Sequence, residues 1–276
     1  MKPRIAICFF GITRSLPHTL PSIEAHVLAP ARALGQVRIY AHLFRQDQIE
    51  NPRTGETGTL DPLEYELLQA DRLELEAPGN CLEHWDFEAL KTHGDFWRNG
   101  FASLRNLVHQ QHSLHRVSSL VLEEGDTDIC VFVRPDLRYH DSLAVPLRAA
   151  LTAPVGTVLL PRWQPWFGYN DRFAIAVGAG AIAAYGQRAE DALNYCRDRA
   201  APLHSERMLK YRLDGQGIRV RRIAARASRV RADGTEAAED FSWQLGIKAK
   251  YYAKAALARI GLKSTVKNLL RRGRAG

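Results

Sequence analysis

The sequence predicts an α/β protein built on one mostly parallel sheet with helices on both faces. Three observations predict it. Short apolar runs rich in β-branched and aromatic residues recur along the chain, clearest at 4–10 and 128–133. Helix-period stretches lie between them, and alternating strands and helices imply parallel pairing with both sheet faces covered. No internal repeat or low-complexity segment interrupts the pattern. With 276 residues, 46% hydrophobic and 25% charged, the chain suffices for one large α/β domain. We assign that domain to 1–240 and a separate basic tail to 241–276.

The elements follow in order. Residues 4–10 (RIAICFF) read as a buried strand ending at Gly11, then a helix over 19–34 and a strand over 37–44. The segment 45–60 is polar, carries Pro52, Gly55 and Gly58, and reads as a loop. Asp61, Pro62 and Glu64 form a helix start, with a capping side chain, a first-turn proline and a carboxylate that can reach back. Leu73 and Leu75 alternate within a short strand at 71–76. A long helix over 95–122 is set by Trp97, Phe101, Leu104, Val108, Leu114, Val117 and Val121, and it delivers the chain to the buried strand 128–133 (DICVFV). Strands are predicted at 156–160, 173–177 and 217–222, and helices at 179–199 and 205–214.

Charge and composition exclude several function classes. The net charge of +8 is concentrated in the tail, where nine basic residues and no acidic one lie between 241 and 276, leaving 29 basic against 30 acidic before it. A body at −1 argues against a nucleic-acid-binding protein, the reading that +8 first suggests. No apolar run is long enough to span a membrane as a helix. Residues 1–10 lack the cleavage site of a secretory signal, so the expected location is cytoplasmic. Residues 243–272 are predicted to form an amphipathic helix, with Ile247, Tyr251, Ala255, Ala258, Leu262 and Leu269 inward and lysines outward, suited to peripheral contact with an anionic membrane surface. The alternatives are a basic helix docked on the body or a disordered end.

Cys8, Cys81, Cys130 and Cys196 form no CxxC, which indicates neither a disulfide framework nor a zinc site. His109, His112 and His115 recur every third residue. On an α-helix that spacing drifts around the surface, so the three cannot all face one metal, and helix surface or packing is the expected role.

Ligands of open α/β sheets bind at the carboxyl ends of the strands, so residues following each apolar run are candidates for chemistry. After the first strand come Gly11, Ile12, Thr13, Arg14 and Ser15, where a glycine permits close approach and Arg14 can pair with phosphate. The alternative is a strand-to-helix turn with an exposed arginine; neither a Walker loop nor GxGxxG is present. After the central strand come Arg134, Pro135 and Asp136. They are placed to hold a divalent cation bridging a diphosphate, or to form an ion pair that caps the strand. The segment 163–172 (WQPWFGYNDR) crowds Trp163, Trp166, Phe167 and Tyr169 beside Asn170 and Asp171. It suits stacking on sugar rings, hydrogen bonding to hydroxyls and proton abstraction, although aromatics also fill cores. Ser205 is a candidate N-cap, and Glu206 is either a helix-dipole partner or a group at the mouth of the site.

In this order the motifs resemble the bacterial capsule and lipopolysaccharide glycosyltransferases of GT-A-like, Rossmann-like fold. Gly11 to Ser15 is similar to a Gly-x-x-Arg-Ser turn of that family. Arg105, Gln110 and Gln111 on a long helix lead, as in the family, to an Arg-x-Asp strand end at Arg134 to Asp136. Gly168 to Asp171 looks like its Gly-x-Asn-Asp segment, and Ser205 to Leu209 like its Ser/Pro-Glu-x-x-Leu helix. The match covers residues 5–232. The resemblance implies transfer of a sugar from a nucleotide-diphosphate donor to a hydroxyl of a glycan or lipid-linked acceptor in surface polysaccharide synthesis. It places donor phosphate binding at Arg14, Arg134 and Asp136, beside the binding candidates Gly11 and Thr13 of the first-strand turn, and acceptor or base roles at Asp171 and Glu206. Such enzymes often hold Mn2+ or Mg2+ on an Asp-x-Asp, but Arg134 stands where the first aspartate would be, which leaves Asp136 as the single candidate ligand. The competing expectations are a sugar-binding relative without turnover and a nucleic-acid-associated protein acting through its tail.

Overall fold

The computed structural model describes residues 2–51 and 54–242. The tail helix predicted at 243–272 therefore lies outside the described residues. The first strand, β1 (Arg4–Gly11), leads into α1 (Leu16–Ile23), which passes through a π-turn at Glu24–Leu28 into α2 (Ala29–Leu34). This helical stretch begins three residues before the predicted start, and Pro21 and Pro30 sit within it. Next come β2 (Gln36–Phe44), the hairpin β3 (Gln48–Asn51) and β4 (Glu56–Thr59), and β5 (Arg72–Glu76). The hairpin occupies the segment expected to be a loop. The helix expected from Asp61 is only a 3-10 turn, Glu64–Leu68, in which Asp61 accepts from the Leu63 amide while Glu64 turns away to accept from the Leu16 amide.

Two short helices, α3 (Cys81–His84) and α4 (Phe87–Thr92), precede α5 (Ala102–Glu124). The predicted long helix starts late because the Asp95 carboxylate gathers the amides of Trp97, Asn99 and Phe101 at 2.8–3.0 Å and holds 95–101 as a loop. Then follow β6 (Ile129–Val133), β7 (Leu137–Tyr139), α6 (Ala144–Leu151), β8 (Thr157–Pro161) and β9 (Ala174–Val177). The helix expected at 179–199 is divided into α7 (Ala179–Gly186), a 3-10 turn and α8 (Ala192–Arg199). The chain continues through α9 (Ser205–Gly215), β10 (Arg219–Ile223) and β11 (Ala227–Arg229).

The central sheet has the order β10-β8-β9-β6-β1-β2-β5 and is parallel except for β9, which runs antiparallel to both neighbours. Alternation along β1 divides its residues between two cores. Ile5, Ile7 and Phe9 pack with Leu16, Ile23, Val27 and Leu147 on one face, and Ala6, Cys8 and Phe10 with Leu114, Val117, Ile182 and Leu209 on the other. From β1 the chain first builds outward through β2 and β5; α5 then carries it back to β6 on the opposite side of β1. The order of strands therefore reverses between β1 and β6. Their carboxyl ends face the crevice where open α/β sheets bind ligands.

Candidate functional site

At that reversal lies an open cleft of about 380 Å3. Gly11, Ile12 and Arg14 line it from the end of β1, Arg134, Pro135 and Asp136 from the end of β6, and Asn106, His109 and Gln110 from α5. The β3–β4 hairpin walls one side, and Asp171, Arg172, Ser205 and Glu206 close the other. Gly11 has a φ of 106°, a conformation that favours glycine and turns the chain sharply as it leaves the strand.

Asp136 organises the floor. Arg134 Nε donates to its Oδ1 at 3.0 Å and Arg134 NH2 to its Oδ2 at 2.8 Å, while Arg14 NH2 reaches Oδ2 at 2.5 Å. Burial works to raise the Asp136 pKa, but the charges and hydrogen bonds of Arg134 and Arg14 outweigh it and hold the carboxyl well below the usual carboxylate range. The strand-capping ion pair is thus present. It does not suit a divalent cation at Asp136, because both carboxylate oxygens are engaged and two guanidinium groups repel a cation. Arg14 is not the exposed residue considered from sequence. Its NH1 donates to Glu56 Oε2 at 3.0 Å, and its side chain is 10% accessible. Arg134 NH1 also contacts Gln110 Oε1 at 3.4 Å, linking α5 to the floor.

Asp171 is 5% exposed. The Ser205 hydroxyl donates to it, and Arg188 NH2 lies 3.9 Å away. Burial raises the Asp171 pKa, but Arg188, the Ser205 hydroxyl, Arg172 and Arg134 together bring it below its ordinary value. Ser205 therefore serves Asp171 as the first residue of α9, and the N-cap residue before it, His204, makes no side-chain cap. Glu206 stands in the first turn of α9 at the cleft wall, with an oxygen 3.3 Å from His204 Nδ1.

The aromatic segment is placed otherwise than a stacking role requires. Trp163 is 1% exposed and donates to the Ala225 carbonyl at 2.9 Å, which makes it a core residue. Asn170 is buried, donates to the Trp163 carbonyl at 2.6 Å and accepts from the Arg172 amide, so it braces its own loop. The Tyr169 hydroxyl donates to Asp214 at 2.7 Å, and its ring lies against Lys210 and Arg222, away from the cleft. Trp166 is 43% exposed and does not line the cleft. Thr13 is buried and likewise does not line it. Gln164, Trp166 and Phe167 have positive φ, strain that persists only where the surroundings enforce it. Here the enforcing contacts are the Tyr169 amide donating to the Glu206 carbonyl at 2.9 Å and Gln164 donating to Glu239.

Several residues in the cleft wall or bonded to it escaped the sequence reading. Glu56 lies in the supposed loop, and its second oxygen accepts from the Ala232 amide at 3.0 Å. Arg172 and Arg229 both pair with Glu239, whose side chain is almost fully buried. His109 sits edge-on to Phe44, and burial, reinforced by Arg105, lowers its pKa to about 4, so it is a neutral imidazole at pH 7. Among the described residues, Arg14 Nε, His109 Nε2, Gln110 Nε2 and Arg172 Nε have no hydrogen-bond partner. All four belong to cleft residues. Spacing alone could not place His109, Arg172 or Arg229 beside Arg14 and Gln110; only the assembled sheet brings them together.

A second cluster lies behind Phe44, at the carboxyl ends of β2 and β5. His42, Glu76 and His112 each present a ligand atom within 4.8 Å of the others, the one such set among the described residues that could hold a metal ion. Of the three helix histidines, only His112 takes part; His115 lies 3.3 Å from Glu190.

In comparisons with known proteins, no family model matches the chain, and no curated protein matches it at a significant level. No helix among the described residues is long and apolar enough to cross a membrane.

Proposed function

We propose that the cleft binds a nucleotide-diphosphate sugar and that the protein is a hexosyltransferase, moving the sugar to a hydroxyl of a glycan or lipid-linked acceptor in surface polysaccharide synthesis. The observation that carries this reading is the meeting of Arg14 and Arg134 on Asp136, in a crevice at the reversal of strand order. Two guanidinium groups, held in place by Asp136 and Glu56 at a strand-end crevice, present fixed N–H donors of the kind that recognise a diphosphate. With Asp136 already occupied, neutralisation of the leaving group falls to these arginines and not to Mn2+ or Mg2+ on that carboxylate.

In the transfer, the bond from the anomeric carbon to the phosphate oxygen breaks, and its electron pair leaves on the nucleoside diphosphate beside Arg14 and Arg134. The acceptor hydroxyl forms the new bond to carbon and gives its proton to a carboxylate. Asp171 and Glu206 both reach the cleft. The lowered pKa of Asp171 makes it a poor proton acceptor, so its role is to fix Ser205 and orient the acceptor, and Glu206 is the base.

Melting curves with UDP-, GDP- and CMP-sugars test the reading, since a ligand that binds the native state raises the melting temperature. A diphosphate donor is expected to stabilise the wild type and to stabilise Arg14→Gln much less, with turnover appearing once an acceptor is supplied. If no nucleotide-diphosphate sugar stabilises the protein at millimolar concentration, the reading is wrong. Stabilisation without transfer to any acceptor marks a sugar-binding relative instead.

A further inference from the structure

We infer that His42, Glu76 and His112 form a binding site for a borderline divalent cation, Zn2+ being the best match, outside the proposed donor cleft. The inference does not depend on the transferase reading. His42 is fully buried on β2, Glu76 ends β5, and His112 projects from α5. Glu76 spans the two rings, with Oε1 3.2 Å from His42 Nε2 and Oε2 3.0 Å from His112 Nε2.

The argument turns on which nitrogen of His42 carries the proton. The Ser113 hydroxyl donates to the His42 carbonyl at 2.5 Å, so its oxygen is left to accept, from the Gly11 amide at 2.7 Å and from His42 Nδ1 at 3.0 Å. His42 is thereby held with its proton on Nδ1. The lone pair of Nε2 then faces a carboxylate oxygen, and Nε2 is a buried atom with no hydrogen bond among the described residues. Two acceptors directed at each other, one of them a fully buried ring nitrogen, call for a cation between them. An imidazole whose far N–H is fixed by a hydroxyl is also the arrangement of a metal-ligating histidine with its supporting shell.

The spacing agrees. Ligands about 2.1 Å from a tetrahedral Zn2+ lie roughly 3.4 Å apart, close to the two separations found here. Two imidazoles and one carboxylate are a recognised zinc donor set that leaves a position open. The Glu76 side chain is 34% accessible, so the open position has a route from solvent. Two contacts have to change. Trp85 Nε1 donates to His112 Nδ1 at 3.0 Å, which leaves the proton on Nε2 to be donated to Glu76 Oε2 at 3.0 Å; metal on Nε2 would displace that hydrogen bond and move the His112 proton to Nδ1, turning the indole N–H away. The indole thus opposes metal binding.

The test is titration of chelator-treated full-length protein with Zn2+ alone, and separately with Mg2+, following binding by competition with a chromogenic chelator and by melting temperature. The expected result is one Zn2+ per chain with a raised melting temperature, and no response to Mg2+. Glu76→Gln and His112→Gln are each expected to weaken Zn2+ binding roughly a hundredfold or more, beyond the 10–100-fold typical of losing a supporting residue. Cooperative melting without zinc shows that a variant folds, and His112→Gln carries the test should Glu76→Gln fail to fold. Trp85→Phe is expected to bind Zn2+ more tightly than wild type. Equal binding by the wild type and both ligand variants, no stoichiometric binding by the wild type, or no gain in Trp85→Phe overturns the site.

Discussion

At the residue scale, Asp136 couples stability to the proposed donor site. Breaking a buried ion pair from one side costs about 3–5 kcal/mol, because the partner charges remain buried, so Asp136→Asn is expected to lose roughly that much stability at pH 7. The sign with pH follows from the depressed pKa of Asp136 in the folded protein. Its contribution is present above the unfolded value of about 3.9 and is lost as pH falls through the folded value. Urea melts from pH 7 to pH 3 are therefore expected to show a gap between wild type and Asp136→Asn that is constant above about pH 4 and starts to narrow below it; a gap unchanged down to pH 3 would deny the pairing. Glu206→Gln, in contrast, is expected to leave donor affinity and melting temperature nearly unchanged while lowering kcat by roughly 10² to 10⁴. Near-normal turnover in that variant would remove Glu206 as the base. Gly11, Arg14, Arg134 and Asp136 were legible in the sequence because each follows an apolar run, and strand ends are where such sheets bind. Trp163 and Tyr169 were not, since their partners, Ala225 and Asp214, are 62 and 45 residues away. His112 escaped for the same reason. The helical-spacing argument weighed the three helix histidines only against one another and could not see that His42 and Glu76 would arrive beside His112 from two strands.

Element boundaries show where local signals suffice and where they are overridden. Strands β1, β2, β5, β6, β8, β9 and β10 lie within two residues of their predicted ends, because buried apolar runs bounded by turns have few alternatives. Errors fall where a carboxylate binds backbone amides outside the helix it was expected to start. Glu64 serves Leu16, and Asp95 holds a loop where helix periodicity had promised a start. Strands β3, β4, β7 and β11 were missed because they are short and pair only within two-stranded sheets. Glycines at the same scale give opposite expectations. A Cβ on Gly168 would lie 1.8 Å from the Glu206 carbonyl oxygen, backbone that cannot yield, so Gly168→Ala is expected to cost at least about 1–3 kcal/mol and to displace α9 with Glu206. Gly180, in the first turn of α7, has nothing within 4 Å of its would-be Cβ, and Gly180→Ala is expected to gain about 0.5–1 kcal/mol. Thermal melts of the two variants moving in the same direction would contradict this account of the close approach.

At the scale of the whole molecule, the sheet places the reversal of strand order, the arginine-lined cleft and the zinc candidate along its carboxyl edge, while charge is distributed along the chain. Residues 1–240 are at −1, and residues 241–276 carry nine basic residues and no acidic one. That division was legible because net charge needs no folding to be counted. It motivates the proposal that the tail localises the enzyme to an anionic membrane surface bearing lipid-linked acceptors. Each basic residue near such a surface contributes about 1 kcal/mol, enough in sum for stable peripheral binding, whereas a near-neutral body has no comparable attraction. Screening separates this mechanism from burial of apolar residues, since the Debye length falls from about 10 Å at 0.1 M salt to about 3 Å at 1 M. Full-length protein is expected to sediment with vesicles containing phosphatidylserine at 0.1 M salt, to be released at 1 M, and to ignore neutral vesicles; a chain ending at 242 is expected to stay in the supernatant throughout. Retention at 1 M salt would mean that the apolar face suggested by Ile247, Leu262 and Leu269 carries the binding. Equal sedimentation of the two chains with anionic vesicles would mean that the tail has no part in it, and the link between charge and acceptor would be lost.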